Sequence, residues 1–115
     1  MTEQEIYQKV AQLLVYAGPL DARTIVVRAE VFPEGDGGKY EFDYIDDTNK
    51  LNWFDPDGRV VGDLTALLVE LRKYFINNKL TTGFDIWSNC EISLTVETMQ
   101  LGIEFTYDVY GRSLD

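Results

Sequence analysis

The sequence has 115 residues, with no histidine, a single cysteine, three prolines and half as many basic as acidic side chains. Without histidine, the chain lacks the commonest general base, the commonest metal ligand and the usual pH switch. The lone Cys90 excludes an internal disulfide framework and a cysteine-based zinc cluster, and it suits a reducing compartment. Ten Lys and Arg against twenty Asp and Glu leave a formal net charge of −10. That balance argues against direct nucleic-acid binding, which needs cations to neutralise phosphates, and against an anionic lipid surface for the same reason. Long apolar runs are missing too. The stretch Leu13-Leu14-Val15-Tyr16 falls far short of the about 20 residues that span a bilayer. Met1-Thr2-Glu3-Gln4-Glu5 is acidic and polar where a signal peptide needs a basic start and an apolar run. The expectation is a soluble, cytoplasmic protein without membrane contact.

What is present is enough for one folded domain. The chain is 45% hydrophobic and 13% aromatic, and at this length folding buries roughly two thirds of the unfolded chain's surface. There is no internal repeat, low-complexity tract or linker, so residues 1–115 are read as a single domain.

Periodicity places the elements. Ile6, Val10, Leu13, Leu14 and Ala17 recur at helical spacing over residues 2–17. Thr2 with Glu5 fits a capping box, and Gly18-Pro19 fits a stop with a left-handed glycine cap. Residues 23–32 are β-branched, with Ile25, Val27, Ala29 and Val31 on one face. The glycine-rich loop 33–38 follows. In residues 39–46 Tyr40, Phe42 and Tyr44 alternate with Glu41 and Asp43. A turn at 46–49 leads to a short strand at 51–54. Asp55-Pro56-Asp57-Gly58 is a strong turn signal, and 59–61 is expected to run on extended. A second helix is expected over 63–78, capped by Asp63, with a stripe of Leu64, Leu67, Leu68, Leu71 and Phe75. Arg72, Lys73 and Lys79 would complement the dipole at its end. Strands at 91–97 and 102–109, with Val96, Tyr107 and Val109 among their inward residues, flank a turn at 98–101. Residues 84–88 fit either a strand or an irregular lead-in. The order α-β-β-β-α-β-β predicts an α+β fold: an antiparallel sheet of about five strands with two helices on one face.

The acidity is sorted along the chain. Residues 30–57 hold nine acids and two bases, and residues 85–108 hold five acids and no base, while the helical stretches are neutral or slightly basic. If the aromatic and aliphatic positions face the helices, alternation puts Arg28, Glu30, Glu41, Asp43, Glu91, Ser93, Thr95, Glu97, Glu104 and Asp108 on the opposite, open face. A face of neighbouring carboxylates is mildly destabilising, more than mere solvation requires.

Each candidate chemistry has an ordinary alternative. Glu41/Asp43, Asp46/Asp47 and Asp55/Asp57 are paired carboxylates, but a general acid needs burial to raise its pKa, and turns or an exposed strand do not provide it. The Asp55–Asp63 region lacks the third acid and terminal Glu of a calcium loop, so a turn and a helix cap explain it better. Cys90 has no histidine to deprotonate it, and Glu91 beside it would raise its pKa. The loop Gly35-Asp36-Gly37-Gly38 lies between strands, contains an acid and lacks the Lys-Ser/Thr of a phosphate loop. Trp53 and Trp87 fit either core packing or an interface anchor. The acidic blocks fit either solubility or a docking surface for a basic partner. No catalytic residue, cofactor or metal is assigned.

Five segments resemble the YezG-like immunity (antitoxin) proteins of bacterial toxin systems. They are Glu5-Ile6-Tyr7-Gln8-Lys9-Val10-Ala11, Val27-Arg28-Ala29-Glu30, Tyr40-Glu41-Phe42-Asp43-Tyr44, Leu71-Arg72-Lys73-Tyr74-Phe75 and Gly102-Ile103-Glu104-Phe105-Thr106-Tyr107-Asp108. The pattern departs between residues 81 and 90 and at Met99-Gln100-Leu101-Gly102. The resemblance implies cytoplasmic neutralisation of a cognate toxin, frequently a nuclease delivered by contact-dependent or secreted systems, through stoichiometric binding without catalysis. Binding residues vary within such families and do not transfer. On charge and position the expected partner-binding residues are Glu41, Asp43, Asp46, Asp47, Asp55 and Asp57 with Trp53 as anchor, and Glu104 and Asp108 as a second surface. Two rival classes are an acidic adaptor binding many clients weakly, and a small-ligand enzyme on a cystatin- or NTF2-like curved sheet with a deep pocket of buried carboxylates.

Overall fold

In the computed structural model, residues 1–78 and 87–107 are described. Helix α1 (Glu3–Ala17) is followed by strands β1 (Ala22–Val31), β2 (Gly38–Asp46) and β3 (Leu51–Trp53). Helix α2 (Gly58–Asn77) precedes β4 (Trp87–Thr95) and β5 (Gln100–Tyr107). The strands form one antiparallel sheet in the order β3-β2-β1-β4-β5. This is the α+β arrangement expected from the pattern, with both helices on one face.

Thr2 and Glu5 form the reciprocal capping box at the start of α1. A cap stabilises by about 1 kcal/mol; each fully buried Ile or Leu contributes about 1.5–3 kcal/mol. Packing therefore holds α1 in place, through Ile6, Val10 and Leu14, which are fully buried. They meet Leu64, Leu68, Leu71 and Phe75 of α2 above a sheet surface of Ile25, Val27, Phe42, Ile92 and Leu94. Gly18 ends α1, but in an extended conformation (φ −77°, ψ 159°) and not a left-handed one. The space there is tight: a Cβ would lie 2.5 Å from Ile25 Cδ1, so that buried methyl would have to move.

Three expectations about α2 are corrected. The helix begins at Gly58, capped by the Asp57 carboxylate accepting from the Val60 N–H at 3.0 Å, so Asp63 lies within it. Residues 59–61 are its first turn and not an extended piece; Gly58 and Gly62, poor helix formers, hide this in the sequence. Val60 adds a buried turn to the stripe, and Leu67 is only partly buried. Arg72 does not reach the helix end: it turns inward, 8% exposed, and donates to the carbonyl oxygens of Val31, Phe32 and Pro33. Lys73 lies 3.9 Å from Glu70. Lys79 lies outside the described residues.

Trp87 is fully buried, its ring 4.8 Å from Phe105 and 6.2 Å edge-on from Phe75. It is core, and with Ser88 it belongs to β4, which starts earlier than the expected residue 91. The remainder of the undecided segment, residues 84–86, lies outside the described residues, as do residues 108–109 and the Tyr107 side chain. The last strand pair closes earlier than expected, with its turn at 96–99. Val96 falls in that turn, partly buried against the core.

That turn contains Met99 at φ +58°. The left-handed region costs an L side chain about 1–2 kcal/mol, and Gly escapes the penalty. Met99 is 42% exposed and outside the buried core cluster. Met99→Gly is expected to stabilise the fold by about 0.5–1 kcal/mol after the added unfolded-state entropy. Urea unfolding measures this, and an unchanged or lower midpoint contradicts it.

Candidate functional site

The helices leave the other face of the sheet open, and the strand register states which side chains share it. Arg28 of β1 stands opposite Glu41 of β2 and Glu91 of β4, and Glu91 stands opposite Glu104 of β5. The neighbouring row runs Trp53, Asp43, Val26, Ser93, Gly102 from β3 to β5. The next begins Leu51, Ile45, Thr24 and continues to Thr95 and Gln100. Glu30 lies between Lys39 and Asn89. Alternation thus placed Arg28, Glu30, Glu41, Asp43, Glu91, Ser93, Thr95 and Glu104 together as expected. Glu97 sits in the 96–99 turn, and Asp108 lies outside the described residues.

The face has two unlike ends. Arg28 turns toward β2, its Nε donating to Glu41 Oε1 at 2.9 Å and its Nη2 to Asp43 Oδ2. Those hydrogen bonds, Glu41's first and Asp43's second, raise the Arg28 pKa above its ordinary value. Because Arg28 is engaged on that side, Glu91 and Glu104 face each other without an ion-pair partner among the described residues. Glu30, Glu41 and Glu91 border a shallow depression of about 510 Å³ that Arg28 and Lys39 also line. These carboxylates are all exposed, unlike the buried acids of the expected ligand pocket. At the other end, on the edge strand β3, Leu51 is 68% and Trp53 75% exposed. Ile45 stands opposite Leu51 on the same face, partly buried, and Val26 lies one strand further in, beyond Asp43.

The acidic turns divide into engaged and free side chains. Asp46 is nearly buried and accepts from Thr48 N (2.8 Å), Thr48 Oγ1 (2.6 Å), Lys50 N (3.0 Å) and Asn52 Nδ2 (3.0 Å). It organises the β2–β3 turn, where Asn49 takes the left-handed conformation, and is not available as a docking carboxylate. Asp57 is likewise engaged as the α2 cap. Asp47 and Asp55 are exposed. Cys90 is buried on the helix side of the sheet, and burial pushes its thiol up to about 12; burial, and not the neighbouring Glu91, is the cause.

The hydrogen bonds to Asp46, those from Thr48 and Lys50 foremost, lower its pKa to about 2 from an ordinary 3.8. A depressed carboxylate contributes stability that is complete above its unfolded pKa and is lost as pH falls toward the folded one. Asp46→Asn is therefore expected to lower the thermal midpoint at pH 6. The gap to the wild type should narrow between pH 4 and pH 2. A gap independent of pH contradicts this assignment.

Sequence reasoning found the acids but missed the partition. Arg28 had been counted only as one more residue of the face, although it decides which carboxylates stay unpaired. The apolar corner of Trp53, Leu51 and Ile45 was also missed. The available signal was parity: Leu51 and Trp53 share a face of a strand too short to be central.

No protein-family model matches the chain, and no curated protein matches it. Among the described residues no helix is long and apolar enough to cross a membrane.

Proposed function

We propose that this chain is an immunity protein that binds and neutralises a cognate toxin domain in the cytoplasm, using the open face of its sheet. The observation that carries the reading is the pairing on one face of exposed carboxylates with an exposed tryptophan. Glu91 and Glu104 have no ion-pair partner among the described residues, and Trp53 with Leu51 offers exposed apolar surface. Exposed aromatic anchors beside complementary charge characterise protein-docking surfaces. A nuclease is the toxin class that fits best, because its substrate cleft must be cationic to hold phosphates. Binding there would block access without any chemistry by the inhibitor. The docking residues are Trp53, Glu91 and Glu104, with Asp55 and Asp47 as flanking charge, while Glu41 and Asp43 are held by Arg28.

The test is co-expression. A basic toxin domain encoded beside this chain should arrest growth alone and be neutralised when the chain is present. The purified pair should form a 1:1 complex that blocks cleavage of nucleic acid. Continued arrest despite comparable expression overturns the proposal. Similar weak binding to many unrelated basic proteins does so too, and favours an adaptor.

A further inference from the structure

The open face is divided, and the division constrains what can sit on it. Its apolar corner lies on β3 and β2, where Trp53, Leu51 and Ile45 cluster. Glu91 and Glu104, on β4 and β5, face each other without an ion-pair partner among the described residues, while Glu30 on β1 stands opposite Lys39. Arg28, Glu41 and Asp43 satisfy one another between the two. That central triad repels neither sign strongly. Past Asp43 the row that begins at Trp53 falls away beside Glu91 and Glu104: Val26, Ser93 and Gly102 carry shorter side chains or none, and a Cβ at Gly102 would touch nothing within 4 Å.

Resting on the docking reading above, we infer that the partner grips this face at two separated points. An apolar side chain packs against Trp53 and Leu51, and an Arg or Lys reaches Glu91 and Glu104. Strands lie about 4.8 Å apart, so β3 to β4 is about 14 Å and β3 to β5 about 19 Å. Trp53 also lies one row, about 7 Å along the strands, from Glu91 and Glu104, so the partner presents an apolar residue and a cation about 16–20 Å apart. A basic surface without that apolar residue leaves Trp53 uncovered. A surface with the two groups adjacent satisfies only one end.

This geometry is testable without the toxin. Two alanine-based helical peptides of identical composition carry one Leu and a pair of Arg. In the matched peptide they are eleven residues apart, on the same helix face and about 16.5 Å apart at 1.5 Å per residue. In the mismatched peptide they are three residues apart, about 4.5 Å. Binding is measured by amide chemical-shift titration of the whole chain at low salt. The matched peptide is expected to bind about tenfold more tightly, the scale of one hot-spot contact. It should shift amides on β3 and on β4–β5 together. Trp53→Ala and the pair Glu91→Gln/Glu104→Gln should each remove that advantage. All three side chains are exposed and outside the core, so these variants keep the fold. Equal affinities for the two peptides, including no binding by either, overturn the inference. So does an advantage that survives Trp53→Ala. Neither result bears on whether the chain rescues growth from a toxin, so this geometry and the immunity reading fail separately.

Discussion

Arg72→Ala is expected to destabilise the protein by about 3 kcal/mol, the scale of removing one member of a buried polar cluster and leaving a void. Arg72 is a buried cation whose described partners are all carbonyl oxygens: Val31, Phe32 and Pro33. Burial lowers its pKa from the ordinary value, so the side chain sits there at a desolvation cost. The carbonyls offset that cost, and in return the guanidinium ties the β1–β2 loop to the middle of α2. Gly35, at φ +75°, lets the loop pass close by, with its Cβ position 3.7 Å from Arg72 Nη2. Alanine removes the guanidinium from those carbonyls, leaving Phe32 O with the Gly35 N–H, and opens space beneath the loop. For a chain of this size the loss corresponds to a fall of roughly 10–20 °C in thermal midpoint. Arg72→Lys should recover only part, because an ammonium lacks the planar fork that reaches several carbonyls at once. Scanning calorimetry decides the matter, and a midpoint within 3 °C of the wild type would remove the clamp from this account. Amides of the β1–β2 loop should also exchange faster with solvent in the variant.

Charge reversal on the open face is the second large effect, and it concerns association. Glu91→Lys/Glu104→Lys changes the face by four charge units while touching no core residue. Electrostatic steering raises on-rates by about 10–10³-fold. The double reversal is therefore expected to slow association with a basic toxin by about 10–100-fold at low salt. Its salt dependence should flatten, and thermal stability should change little. Reversal of Asp46 or Asp57 has a different expected outcome. Those carboxylates hold a turn and a helix start, so their loss appears in the thermal midpoint. Stopped-flow association at two ionic strengths, run beside thermal melts, separates the two effects. If the Glu91/Glu104 pair leaves the on-rate unchanged, the open face is not where the toxin arrives.

The local pattern was legible from residues alone because helical and strand periodicities are properties of consecutive positions. The capping box at Thr2 and Glu5, the stripe of Leu64, Leu68 and Leu71 and the aromatic-acidic alternation of β2 all appeared in the structure where the spacing put them. The start of α2 was misplaced because Gly58 and Gly62 weaken the helical signal, while the Asp57 cap resembles an ordinary turn residue. Arg72 was misread for a different reason. A cation on a helix surface and a cation buried against carbonyls have the same local sequence, and its partners lie some forty residues earlier.

The candidate site divides along the same line. Composition and alternation by themselves determined that the molecule is acidic, that much of the acidity sits on strand-bearing segments, and that the strand-borne acids alternate onto one sheet face. Tertiary structure decided which of those acids are free. Strand register brought Arg28 against Glu41 and Asp43, set Glu91 opposite Glu104, and put Trp53 and Leu51 on the same face as both. It also withdrew Asp46 and Asp57 into local hydrogen bonds. Alternation is fixed by the pleat of a single strand, whereas register depends on turns and pairings between distant segments. The direction a side chain faces could therefore be read along the chain, and the neighbour it meets could be read only across the sheet.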